Sequence, residues 1–280
     1  MSSPAGADTG WLLGDIGNSR VKLAWLEGGR EAADRLFDPA TRRFDARLTL
    51  PTGGLADKLP VLSDFLAGKR LGAIWLSSVH EEAAQQLVAM LDQVLESHDN
   101  EDIDGSVISS AADADLPGHL RNPEKTGADR ALAVRAALRL HSGRGRGIVV
   151  LCGTAMTVEW VGSDGIWAGG AIAPGYRLGA MALDQGTAAL PFVPQVSTAP
   201  LPFGTHTQTA MESGLFWGQV GTARELVHQM AGPACDHWEV WSGGDAHLLA
   251  PHAGGPQAER IDDLVLLGLA DLALASQMSD

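Results

Sequence analysis

The chain is poor in cysteine, in basic charge and in long apolar runs. Cys152 and Cys235 are too few for a disulfide framework and wrongly spaced for a zinc motif, which suits a reducing cytosol. Lys and Arg total 20 against 34 Asp and Glu, for a formal charge of −14, so no basic stripe is present to grip a nucleic-acid backbone. No run of about 18 apolar residues could cross a bilayer. Met1 to Gly10 is small and polar, without the apolar stretch of a secretory signal. A Walker-type phosphate loop and a G-x-G-x-x-G fingerprint are both missing, which removes support for a P-loop kinase or a dinucleotide enzyme. The nine histidines do not cluster at metal-ligand spacing. These absences predict a cytoplasmic protein with no nucleic-acid and no membrane partner.

What is present is a globular composition, 45% hydrophobic and 19% charged, in a chain long enough for one large domain or two ordinary ones. Two stretches share one design. Trp11 to Ile16 reads as a buried strand, Gly17-Asn18-Ser19 as a turn, Val21 to Leu26 as a second strand, and Gly28-Gly29 as the hairpin's close. Ile148 to Cys152, Gly153-Thr154-Ala155 and Met156 to Val161, closed by Ser163-Asp164-Gly165, repeat it nearly half a chain length later. Helical periodicity marks Glu81 to His98, Asp129 to His141, Thr207 to Met230 and Ile261 to Met278, while His98 to Ala114, acidic and polar, reads as a loop. Strands first and helices after, twice over, predict an α/β protein of two similar lobes, 1–120 and 121–280, with the boundary near 118–126.

Five motifs carry chemistry. Asp15-Ile16-Gly17-Asn18-Ser19-Arg20-Val21-Lys22 places a carboxylate able to hold Mg2+ beside a turn whose backbone N–H groups and polar side chains suit phosphate; an ordinary hairpin uses the same residues. Gly153-Thr154-Ala155-Met156-Thr157 repeats it, so the two turns could grip one polyphosphate across a cleft. Asn122-Pro123…Gly127-Ala128-Asp129-Arg130 delivers a carboxylate and a guanidinium to a helix start, where Asp129 could accept a proton or simply favour the first helical turn. Gly169 to Gly175, with Thr187-Ala188 and Leu190-Pro191 beyond, marks close backbone approach to a ligand or a packed helix. Ser242-Gly243-Gly244-Asp245, after a Trp238 to Trp241 strand, could cradle a nucleotide or serve a plain strand-to-helix turn.

In this order, the motifs resemble the type III pantothenate kinases of the actin-like superfamily, from about Leu12 to Leu269. The resemblance implies two duplicated actin-like (ribonuclease H-like) lobes with mixed sheets, and a homodimer with the substrate pocket at or near its interface. It implies ATP and Mg2+ on Asp15 to Lys22, with Thr154, Gly153, Gly243 and Gly244 also at the nucleotide. Asp129 is then the general base, and Gly127, Ala128, Asp129, Arg130 and Thr207 bind pantothenate. It also implies an activating monovalent cation, K+ or NH4+, on an aspartate at the head of the second turn. This chain carries Leu151 there, Leu120 where a tyrosine is usual, and Glu159 for an aspartate. The implied product is 4′-phosphopantothenate, the first step of coenzyme A synthesis. The alternatives are a catalytically weak relative that binds nucleotide and acts as a transcription accessory protein, or another actin-like enzyme, against which the Gly-Ala-Asp-Arg placement argues.

Overall fold

A computed structural model describes residues 9–95, 103–232 and 236–277; Cys235, His98 and the far ends of the two helices read to His98 and Met278 lie outside that range. The elements in chain order are β1 (Gly10–Ile16), β2 (Arg20–Leu26), α1 (Gly29–Arg35), β3 (Ala46–Pro51), α2 (Leu59–Leu66), β4 (Leu71–Ser78), α3 (Glu81–Leu95), β5 (Asp104–Ile108), α4 (Ala128–Leu140), β6 (Gly147–Cys152), β7 (Ala155–Val161), β8 (Trp167–Pro174), α5 (Tyr176–Gly186), α6 (Thr207–Ala231), β9 (Trp238–Ser242), α7 (Ala246–Ala253), β10 (Ala258–Arg260) and α8 (Leu264–Ser276).

The strands form two five-stranded mixed sheets, ordered β3-β2-β1-β4-β5 and β8-β7-β6-β9-β10. In each sheet the first three strands are antiparallel neighbours and the fourth and fifth join in parallel. The repeat seen in the sequence is therefore a repeat of topology: the protein is α/β, with one mixed five-stranded sheet design built twice. β1 and β6 are continuous apolar runs rather than alternating ones because they are the central strands of their sheets, buried on both faces.

Two compact units result: Met1–Leu116 with Arg121–Leu140 and Val265–Asp280, and Pro117–Leu120 with His141–Leu264. This grouping departs from a single cut after residue 120. α4 and α8 belong with the first sheet because Gly268 brings α8 onto the backbone of Leu132, where a Cβ would lie 2.0 Å from its carbonyl oxygen. Arg135 and Arg139 of α4 then share the carboxylate of Asp271 on α8. In the first unit, Leu62 and Leu66 of α2 and Leu87, Met90 and Val94 of α3 pack on Leu12, Ile16, Leu23 and Trp25. In the second, Tyr176, Phe216, Val220 and Leu249 cover Ile148, Val150, Met156 and Trp241.

Two local expectations change. The stretch read as a loop before Ala114 contains β5, an edge strand whose apolar content is little more than Val107 and Ile108, and a 3-10 turn at Ala111–Ala114. Gly28 does not close a hairpin; at φ 80° it caps α1, which intervenes before β3. In α6, Phe216 is buried and the Trp217 indole donates to Pro200 O at 3.0 Å, both within the second unit. No helix among the described residues is long and apolar enough to cross a membrane.

Candidate functional site

The first hairpin is built from the end of β1. Asp15 is half-buried there, in register with Lys22 on β2 and with Ser77 on β4. The Ser77 hydroxyl is buried with no hydrogen-bond partner among the described residues. Gly17 donates its N–H to Arg20 O at 2.9 Å, closing the turn, so the exposed Asn18 at its tip, rather than Gly17, offers polar groups outward. Arg20 is also exposed, while Ile16 and Val21 face the core. A Cβ on Gly17 would meet only Arg20 O at 3.3 Å, and one on Gly153 only Ala155 O at 3.8 Å. The first contact is tight and falls on backbone, the second is ordinary, so only at Gly153 does the chain itself give little reason for glycine.

The Gly127 to Arg130 motif lies in the same unit. Gly127 pairs with Ser110 in an isolated antiparallel bridge, and Thr126 O accepts from Ala111 N at 2.8 Å, so the loop is tied to the segment after β5. Ala128 is buried at the start of α4, and Asp129 and Arg130 are half-buried in its first turn. Arg130 N donates to Asp129 Oδ1 at 2.9 Å. A Cβ on Gly127 would sit 2.6 Å from that oxygen and 3.4 Å from Val79 Cγ1. A larger residue here would displace the carboxylate. Val79, whose side chain lies beside Gly127, donates its N–H to Ile16 O at 3.1 Å at the end of the strand that leads into the first turn. Nothing in the sequence flagged Val79, which carries no polar group of its own.

Behind Gly127, Ser110 and Asp113 form a capping box. The Asp113 carboxylate works against partial burial, but bonds from the Ser110 and Ser109 hydroxyls and backbones hold its pKa below the ordinary 3.8. An open groove of ≈ 1010 Å³ runs past Val79 and Ser110. It carries Glu81, Asp92, Asp113 and Glu124, four carboxylates that make it a poor seat for an anionic substrate.

The second unit repeats the hairpin with a shorter turn. Leu151 occupies the position of Asp15: it is the penultimate residue of its strand, opposite Thr157 and beside Ser242, as Asp15 is opposite Lys22 and beside Ser77. The Thr157 hydroxyl is buried and unpartnered among the described residues, and the Ser242 hydroxyl accepts from Leu264 N at 3.3 Å. The leucine side chain brings no oxygen, so this position does not fit the carboxylate-held monovalent-cation site that the resemblance implies. Asp15 does fit Mg2+: a single half-buried carboxylate is what this ion commonly takes from a protein when phosphates and water supply the rest. Among the described residues, no group of three or more His, Cys, Asp or Glu could form an all-protein metal cage.

Several sequence candidates have reasons inside the chain. Gly243, at φ 99°, puts a would-be Cβ 2.3 Å from Cys152 O, so the strand-to-helix turn itself demands glycine. Gly244 is exposed, and its carbonyl meets the His247 ring at 2.8 Å. Within the Gly169 to Gly175 run, which is β8 and its end, Gly170 lies against the Glu159 carboxylate and Gly175 against the carbonyls of Gly153 and Thr154. Glu159 is buried and accepts the Trp167 indole N–H at 3.1 Å, a packing role. Leu120 sits over Gly118 and Gly169. Thr154 is exposed at its turn, and Thr207 is exposed as the first residue of α6. Cys152 is buried, and burial with the charge of Asp245 pushes its thiol far above the ordinary range.

Known proteins supply the family. The family model described as type III pantothenate kinase matches residues 11–229. A type III pantothenate kinase of Chromobacterium violaceum is 35% identical over 268 residues, 94% of this chain and 98% of that one. One of Herminiimonas arsenicoxydans is 32% identical over 240 residues, 76% and 92% of the two chains. Among solved structures, a Baf family transcriptional activator of Campylobacter jejuni superposes with a TM-score of 0.55 at 18% identity, covering 95% of this chain and 99% of its own. A 2-dehydro-3-deoxygalactonokinase protein of Sinorhizobium meliloti gives 0.55 at 16%, again over 95% and 99%. At such identities the structural likeness speaks for the fold alone. The family match, the relatives and the ordered motifs agree, and the chain belongs to the type III pantothenate kinase family.

Proposed function

We propose that this protein transfers the γ-phosphoryl group of ATP to the hydroxyl of pantothenate, giving 4′-phosphopantothenate and ADP, with Asp129 as the general base. The observation that carries the residue assignment is the fixation of Asp129. Gly127, lacking a Cβ, leaves room for its carboxylate, Arg130 N–H holds one of its oxygens, and Val79 beside Gly127 bonds the strand that ends in the Asp15 to Lys22 turn. A carboxylate held in that way is suited to take the hydroxyl proton as the new P–O bond forms and the bond to ADP breaks.

Asp15, Gly17, Asn18, Ser19 and Lys22 serve the phosphates, with Ile16, Arg20 and Val21 setting the hairpin that presents them. Gly153 and Thr154 are the counterpart in the second unit. A glycine at 153 that the chain hardly needs for itself supports a close approach by something outside it. Mg2+ would be held on Asp15 and would neutralise phosphate charge during transfer. Gly127, Ala128, Arg130 and Thr207 serve pantothenate, Arg130 as a bidentate partner for its carboxylate. The monovalent-cation requirement is absent from this reading because of Leu151.

The working protein is a cytoplasmic homodimer in this proposal. Ile172, Leu178, Phe192, Leu201 and Phe203, all of the second unit, are exposed large apolar side chains, and a second copy would cover such surface. Light scattering during size-exclusion chromatography tests it: a monomer mass at working concentration rejects the dimer. The reaction itself is tested by pantothenate-dependent ADP release. Family membership favours the kinase over the nucleotide-binding regulator.

A further inference from the structure

The two hairpin turns differ in length, and the longer one carries an additional brace. Gly17 to Ser19 spans three residues between β1 and β2, whereas Gly153 and Thr154 alone join β6 to β7. In both units the third strand ends in proline, Pro51 on β3 and Pro174 on β8, and the residue after it donates its N–H to the last residue of the turn. Thr52 N reaches Ser19 O at 3.2 Å, and Gly175 N reaches Thr154 O at 3.1 Å. The first unit then adds a side-chain bond: Thr52 Oγ1 donates to Gly17 O at 3.0 Å. Gly175 has no room for such an addition, since a Cβ there would lie 2.2 Å from Gly153 O.

We infer that Thr52 is a positioning residue for the nucleotide: its amide and hydroxyl hold the carbonyls at both ends of the Gly17 to Ser19 turn, and so fix the backbone that meets the phosphates. The inference rests on the kinase reading of that turn. Thr52 is 9% exposed, so its hydroxyl competes little with water, and a β-branched side chain spends little rotamer freedom in making the bond. A two-residue turn is held by its flanking strand pairs. A three-residue turn has one more residue to fix, and the hydroxyl supplies the missing tie.

The test compares Thr52→Val, which keeps the shape and removes the hydroxyl, with Thr52→Ser, which keeps the hydroxyl. Steady-state kinetics and calorimetric titration with Mg-ADP are run on the full-length protein. Thr52→Val is expected to raise the KM for ATP and the Kd for ADP by about fivefold, the worth of one hydrogen bond, with the KM for pantothenate unchanged. Thr52→Ser is expected to restore nucleotide binding nearly to wild type. The inference is overturned if Thr52→Val binds ADP as wild type does, if Thr52→Ser is as impaired as Thr52→Val, or if the KM values for ATP and pantothenate rise together. Should Thr52→Val fail to fold, Thr52→Ala takes its place in the same titrations. A wild type that binds ADP without pantothenate-dependent turnover would sink the kinase reading while leaving the Thr52 titrations decisive.

Discussion

Adding one methyl group at Gly127 should disable the catalytic carboxylate without unfolding the protein. The Cβ of Gly127→Ala would lie 2.6 Å from Asp129 Oδ1, a separation that real Cβ atoms essentially never show, whereas 3.4 Å to Val79 Cγ1 is tolerable. The clash falls on the far end of a side chain rather than on backbone, so relief comes from moving the carboxylate by roughly half an ångström or more, with its bond from Arg130 N weakened. A displacement approaching an ångström at a reacting group costs up to about 100-fold in rate, so kcat should fall by roughly 10- to 100-fold. The stability loss should stay near 1 kcal/mol, because only one backbone-to-side-chain bond is strained. The assay is kcat by coupled ADP release, with a thermal melt alongside. A Gly127→Ala enzyme with wild-type kcat would refute the argument that this glycine exists to seat Asp129. So would a loss of rate that merely follows a collapse of the melting temperature.

Three further outcomes follow from other parts of the structure. Turnover in potassium should match turnover in tetramethylammonium to within about twofold, because Leu151 offers no oxygen ligand; strong activation by potassium would show that other oxygens build the site. Gly268→Ala drives a Cβ to 2.0 Å from Leu132 O at the α4–α8 contact, which backbone cannot easily relieve, and should destabilise the first unit by about 3 kcal/mol, visible as a melting shift of roughly 6–12 °C; an unchanged melt would contradict the packing of α8 on α4. Asp113, its pKa held low by Ser110 and Ser109, adds stability that is fully present above the ordinary carboxylate range and is lost as pH falls through its lowered pKa. The melting difference between wild type and Asp113→Asn should therefore shrink on acidification below the ordinary 3.8, and a difference that grows instead would reverse the assigned sign.

The repeated design was legible because both central strands are buried on two faces and end in the same glycine-polar turn, a pattern that survives without any knowledge of pairing. The helices α3, α4 and α6 announced themselves by period, and their starts were placed within a residue. β5 did not, since an edge strand needs few apolar residues and Asp104-Gly105-Ser106 looks like loop. The assignment of α8 to the first unit was equally hidden. It depends on a backbone approach at Gly268 that no periodicity encodes. At the site, Asp129 and the Asp15 to Lys22 hairpin could be named from residue types. Val79 and Thr52 could not, because they act through a backbone N–H and a single hydroxyl directed at residues far away in sequence. At Gly243, where the sequence left a nucleotide cradle and a plain strand-to-helix turn both open, the fold supplies a reason of its own, the carbonyl of Cys152.

ADP release from Mg-ATP, with and without pantothenate, in wild type beside Asp129→Asn, tests the account most directly. The account predicts release that depends on pantothenate and falls by about 10²- to 10⁴-fold in the variant, the usual worth of a general base, with both proteins folded and binding nucleotide alike. Pantothenate-dependent release that survives intact in Asp129→Asn, or none at all in folded wild type, would contradict it.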